Sequence, residues 1–316
     1  MLVLVTGATG FLGRAVVREL QEHHHRVRCL VHTPGNERMF PDRSVEVHYG
    51  SVSDPEALAG AFYDVEAVIH LVGIIRRSRN RTYDLINRQG VANVVAAAKE
   101  VGVKHFIQVS ALGATNDAGY PYLYSKWRGD QEVVNSGLSY TIVRPSIMFG
   151  PGDEFLNTLA GLVKTTPVVP VPGTGRNRFQ PIAVADMARC LALTVDREDL
   201  KGKIVEIGGP DQLSYNEVIS LIARTLGKRR LRLHVPVWMM YIATVILQKV
   251  VSRPPVTTDQ LKMIAIRNVA ETSIVQETFG FTPRPLEGNI EFIRSVGFWD
   301  GVKIALGSMP AHLRDH

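Results

Sequence analysis

Through the first 145 residues, short β-branched apolar runs alternate with segments whose apolar positions recur every three or four residues. The runs at 2–5, 27–31, 45–48, 67–71, 105–109 and 141–143 read as strands bounded by Gly, Pro, Asp and Ser positions. The clearest helical pattern covers 87–99, where Val91, Val94, Val95 and Ala98 share one face. Strand and helix taking turns in this way predicts βαβ units. The expected fold is therefore α/β, a Rossmann-type doubly wound parallel sheet with helices on both faces.

After Arg144 the rhythm changes. Pro and Gly concentrate in 166–175 and the elements become shorter, which predicts a dinucleotide-binding domain over 1–150 and a smaller C-terminal substrate or partner subdomain over 151–316, interleaved with the first. Ser214 followed by Glu217 forms a capping box that starts a helix, and Asp54 ahead of Pro55 reads as N-cap and first helical position. The 16 residues between Arg232 and Lys249 carry no formal charge. That is short of the ~20 apolar residues a spanning helix needs. A buried or partner-facing helix is expected there. The second reading is a helix lying in a membrane interface, because Lys228, Arg229, Arg230, Arg232, Lys249 and Arg253 flank it.

With 45% hydrophobic and 21% charged residues among 316, the chain has a globular composition. Cys29 and Cys190 are too few for a disulfide framework, and no charged-then-apolar leader precedes the first strand. Both features predict a reducing, cytoplasmic setting, extended by peripheral contact at the inner face of a membrane. The net charge of +6 favours phosphate groups or anionic surfaces. Its basic residues are not interleaved with aromatics, so nucleic acid is not an expected partner. His23, His24 and His25 are consecutive and point in different directions on a helix, so no metal site is expected.

The stretch Thr6-Gly7-Ala8-Thr9-Gly10-Phe11-Leu12-Gly13 follows an apolar strand and opens a helix, the context in which a glycine fingerprint signals a dinucleotide. Its glycines permit a tight turn and let backbone N–H groups meet a pyrophosphate. No acidic residue stands at the end of the second strand to take the ribose 2′-hydroxyl of NAD. Arg26, Arg28, His32 and Arg38 occupy that region, which predicts NADP(H) in preference to NAD(H). Ser51 and Val52 follow the third strand. Gly73, after the fourth strand, would let a cofactor approach the backbone. Arg76, Arg77, Arg79 and Arg81 beyond it read as a solvated loop.

The GxxGxxG spacing resembles the short-chain dehydrogenase/reductase superfamily. The likeness extends to Ser110 at the end of the fifth strand, to Tyr122 and Lys126 in a YxxxK arrangement, to Arg144-Pro145 before Phe149-Gly150, and to residues 180–186. Narrower likenesses, at 70–74, 109–114, 122–126 and 258–261, are to the atypical extended branch that includes the nucleotide-binding accessory subunit of mitochondrial complex I and its bacterial homologues. The resemblance implies that Tyr122 exchanges a proton, Ser110 bonds the reacting oxygen and Lys126 holds the nicotinamide ribose. It also implies a cofactor set of Thr6, Gly7, Thr9, Gly10, Phe11, Leu12, Gly13, Arg28, His32, Ser51, Val52, Leu71, Gly73, Asn87, Lys126 and Pro145. Residues four apart share a helix face, so an ammonium at Lys126 is expected to lower the Tyr122 pKa toward neutrality.

Two departures narrow the implied function. Ser51 stands where relatives place Asp, and Leu123 replaces the Gly that follows the tyrosine in sugar-nucleotide epimerases and dehydratases, which disfavours that class. An NADP-dependent oxidoreductase is expected, acting on an apolar, quinone- or isoprenoid-like substrate enclosed by Trp238, Met239, Met240 and Tyr241. The alternative is a non-catalytic NADPH-binding subunit or assembly factor of a membrane respiratory complex.

Overall fold

The computed structural model describes residues 1–40, 45–251, 254–264, 266 and 269–313; Arg253, one of the flanking basic residues, lies outside them. All six expected strands form, their ends within three residues of the sequence reading: β1 (Leu2–Thr6), β2 (Arg26–Val31), β3 (Glu46–Tyr49), β4 (Ala67–His70), β5 (His105–Val109) and β6 (Tyr140–Pro145). A further strand, Lys203–Ile207, was not expected. Together they make one parallel sheet in the order Lys203–Ile207, β6, β5, β4, β1, β2, β3. Every residue of β1, β4 and β5 is buried, as a parallel sheet covered on both faces requires. Strand order reverses between β1 and β4, and in such sheets ligands bind outside the carboxyl ends of the strands at that point.

Four helices matter for the site: α1 (Phe11–Glu22), α2 (Pro55–Ala61), α3 (Gly90–Val101) and α4 (Pro121–Val134). Asp54 caps α2 with Pro55 at its first turn, as expected. The helical pattern expected from 87 is split, with Asp84–Gln89 wound as a π-helix and α3 beginning at Gly90. A π-turn of this kind re-aims side chains, and here it brings Asn87 inward. Gly102 ends α3 in the left-handed region, at φ +68°.

The chain divides into two compact units. The first comprises 1–145, 184–207 and 277–280 and contains the whole sheet; the second comprises 146–183, 208–276 and 281–313 of the described residues. The second unit has its own core, formed by Leu156, Val163, Val218, Ile222, Ile290 and Ile293 among others. It includes the helix Tyr215–Thr225, opened by the expected Ser214–Glu217 capping box. It also holds the helix Val237–Val250; of the buried or partner-facing element expected there, the buried form fails, since Thr244 is its one buried residue. Of the residues expected around the substrate, Trp238, Met239 and Tyr241 are exposed and Met240 is half-buried. Among the described residues no helix is long and apolar enough to cross a membrane.

Candidate dinucleotide and proton-transfer site

β1 hands the chain to α1 through a turn that only glycines allow. Gly7 has φ +76°, a backbone conformation other residues rarely adopt. A Cβ at Gly13 would stand 2.2 Å from Gly7 O, so that glycine lets α1 seat against the turn. At Gly10 a Cβ would meet only Gly7 O, at 3.2 Å, leaving the approach to the helix terminus open. No side chain caps α1 at Gly10, so its first N–H groups are available to an anion. Thr9 and Phe11 are half-buried beside this opening, whereas Leu12 packs inward. These features fit a bound pyrophosphate. Thr6 is a correction: it is buried and its Oγ1 lies 2.7 Å from His70 Nδ1, so its hydroxyl serves the sheet interior. Burial pushes the His70 pKa down to about 3, which keeps that imidazole neutral.

Arg28 is the clearest correction to the cofactor set. It sits in mid-strand, registered with Leu4 and Glu46, three residues short of the end of β2. Its guanidinium donates to Glu46 Oε2 at 2.6 and 2.9 Å, to Ala61 O at 2.9 Å and to Tyr63 O, closing the carboxyl end of α2. Four of its five N–H donors are thus taken by Glu46, Ala61 and Tyr63. His32, immediately after β2, is exposed, with Nδ1 3.2 Å from Thr33 Oγ1, and Arg38 follows in the short helix Asn36–Met39. Glu37 lies there too, but it accepts from Gly35 N at 2.6 Å, and its own backbone amide and that bond hold its pKa low.

Beyond β3, Ser51 Oγ bonds Ser53 Oγ at 2.8 Å in the turn before α2. The Val52 side chain belongs to the core with Leu30, Leu58 and Val91, and its carbonyl accepts from Asn93, so only its main-chain N–H can serve a ligand. Beyond β4, Leu71 N bonds Thr6 O, and the chain then runs through exposed Gly73. Asn87 clamps that turn: Oδ1 accepts from Ile74 N at 2.8 Å, while Nδ2 donates to Ile74 O at 3.1 Å and Ser125 Oγ at 2.9 Å. Its side chain positions the turn. Pro145 is buried and its carbonyl accepts from Leu112 N.

On α4, Tyr122, Lys126 and Asp130 recur at four-residue spacing, one above another on a single face. Lys126 is 3% exposed, donates to Val109 O at 2.7 Å, and would lie 3.3 Å from a Cβ at Gly73. The lack of a side chain at Gly73 thus keeps the ammonium next to the turn that follows β4. Burial lowers the Lys126 pKa to about 8.

Tyr122 reverses the sequence expectation. Burial, then the charge of Asp130, pushes its phenol up to about 12, because desolvation outweighs any help from Lys126. Tyr83 packs edge-on against it with ring centroids 6.0 Å apart, and Tyr83 Oη donates to Ile75 O.

Ser110 directly follows β5 and is buried. Its Oγ donates to Asp130 Oδ2 at 2.9 Å, and Arg144 donates to the same oxygen through Nη2 at 2.9 Å and Nε at 3.2 Å. Asp130 is fully buried, and burial raises its pKa against those bonds. Sequence reasoning missed this carboxylate, although it stands one turn beyond Lys126 at the spacing that picked out Lys126 itself. Gly129 was missed as well: a Cβ there would stand 2.4 Å from Asn87 O, so glycine lets α4 close on the π-turn. Among the described residues no group of three or more His, Cys, Asp or Glu could hold a metal ion.

A family model described as the NAD dependent epimerase/dehydratase family matches residues 3–208. The chain is 30% identical over 231 residues, 70% of its length, to the alpha subcomplex subunit 9 of the mitochondrial NADH dehydrogenase [ubiquinone] 1 of Arabidopsis thaliana, and spans 57% of that relative's length. It is 32% identical over 237 residues to a ceramide reductase of Caulobacter vibrioides, covering 74% of each chain. Its fold matches an NADPH-dependent quinone oxidoreductase of Escherichia coli complexed with NADPH, with a TM-score of 0.74 at 18% identity, covering 90% of this chain and 96% of that one. The glycine turn, the sheet order and the residues matched lead to one conclusion: the chain belongs to the NAD dependent epimerase/dehydratase family.

Proposed function

We propose that this protein is an NADP(H)-dependent oxidoreductase that reduces a carbonyl on an apolar molecule of quinone- or isoprenoid-like character, in a reducing, cytoplasmic setting. The observation that carries the reading is the single face of α4 that sets Tyr122 and a buried Lys126 beside the turn after β4, at the switch point of the sheet. The cofactor would be held by the main chain of Gly7, Thr9, Gly10, Phe11, Leu12 and Gly13, with His32 and Arg38 toward the adenosine ribose, Ser51 and Val52 N–H toward the adenine, and Leu71, Gly73, Lys126 and Pro145 toward the nicotinamide. When bound, nicotinamide supplies the hydride.

The protein's own part is proton chemistry. With its pKa near 12, Tyr122 carries its proton at neutral pH and acts as the acid, donating from Oη to the oxygen of the substrate as that oxygen gains charge. Lys126, with a pKa near 8, is mostly charged at pH 7 and is fixed by Val109 O, so its positive charge stabilises the phenolate left behind. Asp130 positions Ser110 and Arg144 beneath this face. The edge-on ring of Tyr83 gives Tyr122 an apolar neighbour, in keeping with the lipid and quinone substrates named for the reductases it resembles.

Replacing Tyr122 by Phe tests the proposal. NADPH affinity should be kept while turnover of a quinone or long-chain ketone falls by about 100-fold to 10,000-fold, the usual contribution of a general acid. A second reading, a non-catalytic NADPH-binding subunit, is favoured by the identity to the mitochondrial NADH dehydrogenase subunit. An unchanged rate in Tyr122→Phe, or tight NADPH binding by a wild-type protein that turns over no carbonyl, would decide for it.

A further inference from the structure

The helix Val237–Val250 is inside out. Trp238, Ile242, Ile246 and Val250 recur every four residues and are 65%, 51%, 59% and 80% exposed. Thr244, about 200° round the helix from Ile242 and from Ile246, is the buried one. A helix at the surface of a globular unit ordinarily turns such a stripe toward the core, because burying it removes apolar area from water. The strand that leads into it, Leu231–Val235, behaves alike, with Leu231 and Leu233 exposed on a strand paired to Val168–Pro172.

Along the chain through this apolar surface the charges have one sign. Between Glu217 and Asp259 there are seven Lys and Arg and no Asp or Glu. Lys228 and Arg229 are exposed before the strand, and Lys249 is exposed in the last turn of the helix.

We infer that this face of the second unit docks on an anionic lipid bilayer, with the helix Val237–Val250 lying in the plane of the interface. The helix has 14 residues and is about 21 Å long, too short for the roughly 30 Å hydrocarbon core, so it lies along the surface instead of crossing. Trp238 and Tyr241 are residue types that settle at the headgroup level, while the isoleucines enter the acyl boundary. A second copy of this chain fits less well, because it would bring two basic rims together. An anionic surface instead satisfies the charges and the apolar stripe at once. The inference does not depend on the redox reading, since every residue it uses lies in the second unit and none belongs to the glycine turn or to α4.

The test is flotation of the full chain with vesicles of phosphatidylcholine alone and of phosphatidylcholine containing one-third phosphatidylglycerol, at low and high salt, with NADPH binding and the melting temperature measured on the same preparations. Wild type should float with the anionic vesicles at low salt and lose most of that binding at high salt, since headgroup attraction is screened within about 10 Å at 0.1 M salt. Each basic residue near such a surface contributes about fivefold in partition, so Lys228→Gln with Arg229→Gln should lower binding roughly 25-fold. Trp238→Ser with Ile242→Ser should abolish the shift of tryptophan fluorescence on vesicle addition, while the melting temperature stays or rises. Three results would overturn the inference: no flotation with anionic vesicles at low salt, flotation that both double variants leave unchanged, or self-association in solution that Trp238→Ser with Ile242→Ser disrupts. Any of these with NADPH binding intact leaves the proposed function standing.

Discussion

Replacing Lys126 by Met should stabilise the cofactor-free protein at neutral pH while destroying its chemistry. The Lys126 pKa falls from the ordinary 10.5 to about 8 because its ammonium is buried, so the folded state carries the charged form at a disadvantage. At 1.36 kcal/mol per pH unit, that gap amounts to roughly 3 kcal/mol. The side chain is nearly inaccessible, so solvent screening takes little from the figure. Losing the bond to Val109 O returns about 1 kcal/mol, which leaves a net gain of about 2 kcal/mol for the variant at pH 7.

The pH dependence fixes the sign. Below about pH 8 the lysine is protonated in both states and the full disadvantage is present. Between 8 and 10.5 the folded protein has released its proton and the unfolded chain has not, so wild-type stability rises relative to the variant. Urea titrations of both proteins from pH 7 to 9.5 should therefore show a gap that narrows by more than 1 kcal/mol. A Lys126→Met protein that is less stable than wild type at pH 7, or a gap that stays constant with pH, would refute a desolvated ammonium at this position.

Gly10→Val should fold normally and lose NADPH binding by calorimetry, since its Cβ meets only one oxygen at 3.2 Å. Gly13→Ala, whose Cβ would stand 2.2 Å from Gly7 O, should instead lower the melting temperature or fail to fold. Arg28→Ala should cost stability and leave the ratio of NADPH to NADH affinity unchanged, because its bonds go to Glu46, Ala61 and Tyr63. Arg38→Ala should weaken NADPH about tenfold and NADH little, as expected for one charge-assisted phosphate contact; equal losses for both cofactors would remove Arg38 from the site. Asp130→Asn should remove the buried charge that Arg144 pairs with, leaving Arg144 with Glu206 at 3.7 Å, and cost about 3 kcal/mol or more in urea titration. It should also move the pH–rate profile to lower pH, since the carboxylate raises the pKa of both Tyr122 and Lys126.

The sheet was legible because central parallel strands, buried on both faces, read as unbroken apolar runs. The strand Lys203–Ile207 was not, since at the sheet edge three of its five residues are exposed and Lys203 and Glu206 break the run. The superfamily resemblance located Tyr122 and Lys126, and their four-residue spacing put them on one helix face. What it could not supply was environment: whether a lysine four residues on lowers a phenol's pKa depends on how far both are desolvated, and here desolvation wins. Arg28 was misread for a related reason. Its nearness to the strand end in sequence says nothing of Glu46, which reaches it only through the pairing of β2 with β3. The helix at 237–250 showed its composition plainly, but which way an apolar stripe faces is decided by what packs against it.

The choice between a redox enzyme and a structural nucleotide site turns on the cost of the face of α4. A protein that only gripped a dinucleotide could do so with the glycine turn and the terminus of α1, whose N–H groups bind phosphate with no buried ionisable side chain. This chain instead buries an ammonium at a disadvantage of roughly 3 kcal/mol and a carboxylate whose own pKa burial raises, with Ser110 and Arg144 hydrogen-bonded to that carboxylate. A desolvated ammonium beside the turn after β4 is an arrangement that the proposed proton transfer would use and that simple retention of a ligand does not need. The stability lost at Lys126 is thus explained by the chemistry proposed for Tyr122, and the Lys126→Met measurement bears on both.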